Sequence, residues 1–139
     1  MSILTIKSAL ETHLKTNITD VAIKWNNTSH YTKNNIALTQ IEIDALEFFI
    51  EPKIIPISDS REMMSTDNPF STEVFFQIDI YNKVNSGSGD VFNTIESLNT
   101  LFRESYVSSV LCDYVDTINT FEADEWVITP HRIHAKLWS

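Results

Sequence analysis

The nine residues from Thr72 to Ile80 alternate, and that alternation constrains the chain more than any other feature. Thr72, Val74, Phe76, Ile78 and Ile80 fall on one parity, while Glu73, Gln77 and Asp79 fall on the other. Such a stretch is a strand with one apolar and one wet face. Phe75 and Tyr81 share the wet face, where large aromatic side chains are costly to leave bare, so a partner surface is one candidate cover. The turn Asn85-Ser86-Gly87-Ser88-Gly89 follows and holds both glycines of the chain. Ser88 reads as an N-cap with Asp90 in the first helical turn. Val91, Ile95, Leu98 and Phe102 then recur at intervals of four, three and four, which predicts a helix over about 90–104 with its stripe against a sheet.

The rest of the chain extends this pattern. Ile3, Ile6, Leu10 and Leu14 behind Ser2 predict a first helix over about 2–16. Val21 to Trp25 is short and apolar, and the polar run Asn26–Asn35, with His30 and Tyr31 inside it, reads as a loop. Residues 36–57 are β-like with a parity change near Asp44 that implies a bulge or turn, which leaves one strand or two. Pro52 and Pro56 place its later part at a sheet edge. Ser58–Pro69 is a polar connection with Met63 and Met64 at its centre, of a length that implies function or disorder, and the two methionines either pack on the chain's own surface or touch another subunit. In 106–122 strand character has mixed parity: Val110, Cys112 and Tyr114 on one side, Leu111 and Val115 on the other. Trp126–Trp138 is the last strand, broken by Pro130. It carries Ile133, Ala135 and Leu137 on one face and Arg132, His134, Lys136 and Trp138 on the other, a basic and aromatic face suited to nearby carboxylates or a neighbour.

At 139 residues the pattern implies one domain, 1–139, a small acidic α+β unit. Ten basic against nineteen acidic residues, net −9, disfavour wrapping of nucleic acid, whose affinity comes from Lys and Arg on phosphates. Solubility is the commoner meaning of such a balance. One cysteine, Cys112, forms no internal disulfide, which implies a reducing or indifferent compartment. Lys7, Glu11 and His13 interrupt the first segment, unlike a signal peptide, and no run reaches the roughly 20 apolar residues of a membrane span. The expectation is a soluble, unexported protein with no membrane association.

Chemistry finds little purchase. Gly87-Ser88-Gly89 lacks the third glycine of a dinucleotide fingerprint and the Gly-Lys-Ser/Thr of a P-loop. His131 and His134, three apart on a strand, point to opposite faces and do not share a metal. Cys112 in an apolar segment reads as a core residue rather than a nucleophile. Among nineteen carboxylates nothing singles out an acid–base pair, so a carboxylate-dependent hydrolase is the weakest reading. No cofactor, no metal and no enzymatic activity are expected.

The order of features resembles a known family. Ser2-Ile3-Leu4-Thr5-Ile6 to Leu10-Glu11-Thr12-His13-Leu14 is followed by Val21-Ala22-Ile23-Lys24-Trp25-Asn26-Asn27 and Tyr31. Phe75-Phe76-Gln77-Ile78-Asp79-Ile80-Tyr81, Gly87-Ser88-Gly89, the helix to Leu101-Phe102-Arg103 and a final Glu125-Trp126 strand come later. Together they resemble the tail terminator, or tail completion, proteins of tailed bacteriophages, over nearly the whole chain. The stretch Thr32–Asp44 is longer and more β-like than the corresponding family loop. The resemblance implies an antiparallel sheet with both helices on one face, and a six-membered homo-oligomeric ring in the virion tail or neck, assembled in the host cytoplasm. It implies a mechanical function: the ring caps the tail tube protein, stops polymerisation and offers a docking surface to the head–tail connector protein. On that reading Phe75, Tyr81, Arg132, Lys136 and Trp138 are candidates for the subunit interface. Arg61, Glu62, Met63 and Met64 are candidates for tube contact, and an acidic lumen lets DNA pass without sticking. The competing readings are another phage neck or head-completion protein and a small acidic intracellular adaptor or immunity protein.

Overall fold

A computed structural model describes residues 3–26, 28–57, 60–61 and 70–138, with the side chains of 60, 61, 70 and 71 left aside. Its frame is a pair of long strands, β6 (Phe70–Lys83) and β10 (Trp126–Trp138), antiparallel from Trp126 opposite Lys83 to Trp138 opposite Ser71. Around them stand β1 (Ala22–Lys24), β2 (Tyr31–Lys33), β3 (Ile36–Ala37), β4 (Phe48–Pro56), β5 (Ser60–Arg61), β7 (Ser105–Val107), β8 (Val110–Thr117) and β9 (Phe121–Ala123). The helices are α1 (Ile3–Asn17), α2 (Gln40–Asp44) and α3 (Gly89–Phe102). The ten described strands form one sheet in the order β3-β2-β1-β4-β6-β10-β8-β7, with β5 added to β6 and β9 to β10.

The architecture is α+β, but the sheet is mixed, not antiparallel throughout. β1 pairs in parallel with β4, Ile23 opposite Ile50. The β2–β3 hairpin and α2 between them supply the long crossover that a parallel return requires.

Alternation does what the sequence requires of it. Val74, Phe76, Ile78 and Ile80 of β6 are fully buried, as are Ile133 and Ala135 beside them. Ile6, Leu10 and Leu14 of α1 and Leu98 and Phe102 of α3 close over the same face. Phe102 sets its ring edge-on to Phe76 at 5.6 Å and to His13 at 5.3 Å. Both helix stripes thus serve one sheet face, and no described helix packs on the other.

Several expectations need correction. The polar run 26–35 contains β2, which pairs with β1 at Thr32 and Tyr31. Within 36–57, parity changes because α2 intervenes, and the signal was present: Thr39-Gln40-Ile41-Glu42 is a capping box, with Thr39 and Glu42 exchanging side chain-to-backbone bonds. β4 lies inside the sheet, between β1 and β6. Beyond Ile50, however, no described strand covers its far flank, so the N–H groups that Pro52 and Pro56 lack leave no ladder bond unmade there. Pro130 does not break β10. It sits where that strand's neighbour changes from β9 to β8, and its carbonyl accepts from the Ile118 N–H. Ser88 stands before α3 with ψ near zero (1°) instead of extended, and its side chain makes no capping bond. The helix stops at Phe102, short of 104, because Arg103 is extended and Glu104 is left-handed at φ 48°.

Candidate functional site

The face turned away from α1 and α3 holds the residues singled out in the sequence. β6 contributes Glu73, Phe75, Gln77, Asp79 and Tyr81, and β10 sets Lys136, His134, Arg132, Pro130 and Ile128 directly opposite them. β4 continues the rows on the other flank with Ile55, Lys53, Glu51 and Phe49.

Cross-strand pairing converts these rows into a self-satisfied layer. Lys53 meets Asp79 at 3.0 Å, Lys24 meets Glu51 at 3.1 Å, and Lys83 meets Glu125 at 3.2 Å. Gln77 sits at the centre, donating to Asp79 (2.8 Å) and accepting from the Arg132 Nε (3.0 Å). Arg132 also lies 4.9 Å above the Phe75 ring, with Asp116 as its register neighbour on β8. Lys136 lies 5.3 Å from the Trp138 ring. Among the described residues, the carboxylates of this face, Glu51, Glu73, Asp79, Asp113, Asp116 and Glu125, therefore stand among Lys24, Lys33, Lys53, Lys83, Arg132, Lys136 and His134. The face is near neutral, and the net −9 of the chain is carried elsewhere. Asp20, Glu47 and Asp90, for example, line a cleft of about 450 Å³ by the start of α3.

Two aromatic groups punctuate the layer. Tyr81 stacks on Phe49 at 4.5 Å and 8°, with Trp126 edge-on to both and Tyr31 edge-on to Phe49. Burial, followed by the charges of Glu51 and Asp79, pushes the Tyr81 phenol up to about 12, so it stays a neutral donor toward Glu51. At the other end Tyr114 stacks on His134 at 4.9 Å, and Phe75 meets the same imidazole edge-on at 5.6 Å.

His134 is the residue that reading the sequence undervalued. Its Nδ1 lies 2.6 Å from Asp113 and its Nε2 2.8 Å from Glu73, and the side chain is 8% exposed. Each ring nitrogen thus lies within hydrogen-bond reach of one carboxylate. The arrangement depends on a bulge: His134 pairs with Tyr114 but Ala135 pairs with Cys112, which leaves Asp113 as the extra residue of β8. The bulge also explains the mixed parity of 106–122. Cys112 turns into the core before it, Tyr114 turns out after it, and Val115 turns in again opposite Ile133.

The predicted interface residues Phe75, Tyr81, Arg132, Lys136 and Trp138 thus share one face, and the chain's own side chains partly cover them. Trp138 remains 39% exposed. Arg61 lies in β5, opposite Phe70, while Glu62, Met63 and Met64 lie outside the described residues. His131 points to the helix side, as its spacing from His134 requires. It is 1% exposed, bonded through Nδ1 to Thr117 at 3.0 Å, and burial lowers its pKa to about 4. No helix among the described residues is long and apolar enough to cross a membrane.

The geometry thus defines an α+β protein with one helix-covered face and one near-neutral strand face of paired charges and stacked rings. No protein-family model and no curated protein matches the chain. Four chains of solved structures do match. One of them, whose name carries no functional description, superposes on 100% of this chain and 96% of its own with a TM-score of 0.64 at 17% identity. At that identity the likeness shows the fold alone.

Proposed function

We propose that this chain is a phage tail terminator: a virion subunit that assembles as a ring on the last ring of a tail tube, ends its growth and presents a joining surface to the head. The observation that carries the reading is the division of the surface. A near-neutral strand face of paired charges packs against protein with little electrostatic penalty, because its ionic groups are already satisfied. The excess acid lies off that face, where a ring has room to turn it toward a lumen through which DNA passes. The order of elements and the α+β layering support the same reading. Phe75, Tyr81, Arg132, Lys136 and Trp138 belong to the face that packs, and the segment from Arg61 to Met64 remains the proposed tube contact.

The acidity by itself also suits a small adaptor that neutralises a basic partner. Electron microscopy of particles made without this chain separates the readings. A terminator's absence yields overlong tubes, whereas loss of another neck protein yields tails of normal length beside unjoined heads. Particles of normal form and number would leave the adaptor reading standing and remove ours.

A further inference from the structure

Among the described residues the sheet ends at β3 on one side and at β7 on the other. Both are short, two and three residues, which is one way natural sheets blunt an edge, but neither adds a proline or an inward charge. Each instead holds one large apolar side chain in water: Ile36 is 66% exposed and Tyr106 is 67% exposed.

Register determines where these side chains point. Ile36 lies opposite Lys33, on the same parity as Tyr31 and its partner Lys24, which leads to the strand face carrying Glu51. Tyr106 lies opposite Leu111, which lies opposite Lys136, on that same face. Strand direction is equally determined. Counted through the antiparallel and parallel pairings, β3 and β7 run the same way. Left-handed residues hold both edges in place, Asn34 and Asn35 before β3, Glu104 and Ser108 on either side of β7.

We infer that β7 of one copy pairs in parallel with β3 of the next, seating Tyr106 beside Ile36 and carrying one sheet from subunit to subunit. The occupant of each edge is a second copy because the two ends match each other: same face, same direction, an aromatic ring against a β-branched side chain. A two-fold contact would join like edges, antiparallel. Joining unlike edges head to tail gives a heterologous contact, which closes into a ring when the rotation allows. The inference rests on the terminator reading for that closure. Strands this short make few hydrogen bonds, so a single joint is weak and the closed ring, in which every copy is held at both edges, is the stable form.

Cysteine pairing tests it. Ile36→Cys and Tyr106→Cys are placed in one chain and, separately, in two, with Cys112 retained because it is buried in the core. The proteins are oxidised at concentrations spanning micromolar to millimolar and read on a non-reducing gel beside light scattering. The expected result is a ladder from the double variant that ends at the ring size, dimers and nothing larger from the mixed single variants, and no cross-link from either single variant alone. Dimers from one single variant by itself would overturn the inference in favour of a two-fold contact. A ring whose double variant fails to cross-link would place the joint elsewhere and leave the terminator reading intact. A chain monomeric throughout would overturn the inference, while the tube-length experiment decides the function separately. Tyr106→Lys, at an exposed position, is expected to keep the wild-type melting curve and to raise the concentration needed for assembly by at least about tenfold. Unchanged assembly of that variant would also sink the inference.

Discussion

His131 and His134 are three residues apart on one strand, yet one is enclosed in the core and the other is clasped by carboxylates. The burial that depresses the His131 pKa from 6.5 to about 4 makes it a source of acid sensitivity. The unfolded chain takes up a proton there as pH falls below about 6.5, and the folded chain resists until about 4. Stability from this group is therefore whole above 6.5 and declines between the two values, by an amount on the order of 3 kcal/mol. Urea unfolding from pH 4 to 7 should show a distinctly shallower pH slope for His131→Gln than for the native chain. Equal slopes would mean the ring is already charged in the fold. Cys112 follows the same logic with the opposite sign. Burial, with Asp113 adding to it, pushes its thiol up to about 12. A disulfide reagent at pH 8 should leave the native protein unlabelled and titrate one thiol once denaturant is added.

At the level of elements, the bulge of β8 makes a sharp prediction. Asp113 is the unpaired residue, so deleting it leaves His134 opposite Tyr114 and Ala135 opposite Cys112. The deletion variant should fold with its core intact and lose only the Asp113–His134 contact. Deleting Val115 instead shifts every residue on one side of the cut to the wrong face and should prevent folding. Circular dichroism and thermal melts of the two variants distinguish them, and equal damage would refute the bulge. In α3, Phe102→Ala should cost about 3–5 kcal/mol because it empties a fully buried site between Phe76 and His13. Phe92→Ala, at a position 61% exposed, should change stability by less than about 0.5 kcal/mol. Comparing the two by denaturant titration tests the helix rotation read from Val91, Leu98 and Phe102. That rotation, the α1 stripe and the faces of β6 and β10 were legible in the sequence because period and burial agree over ten or more residues. The α2 turn was legible only through its capping box, which the β-branched residues around it obscured. The bulge, the parallel β1–β4 pair and the joining of Glu73 and Asp113 to His134 were not legible. Each depends on which strand lies beside which, and alternation within one strand carries no such information. The shared face of Phe75, Tyr81, Arg132, Lys136 and Trp138 was implied by parity, but their mutual covering needed the register.

For the whole molecule, charge and edges act on assembly in opposite directions. Copies that each carry −9 repel one another, whereas the proposed joint would set the exposed Ile36 against the exposed Tyr106, two uncharged side chains. Added salt should therefore promote association, lowering the concentration at which rings form between about 50 and 500 mM salt. Light scattering across that series is the check, and dissociation by salt would indicate a joint made of ion pairs. A different consequence follows from where β10 sits. It comes after every other described strand in the chain, yet in space it lies between β6 and β8 and supplies a wall of the core. While the polypeptide is being synthesised, β6 and β8 must wait, apolar faces uncovered, until residues 126–138 have left the ribosome. Folding on the ribosome is thereby deferred, and the waiting chain is most exposed to chaperones and to aggregation just before its central strand arrives.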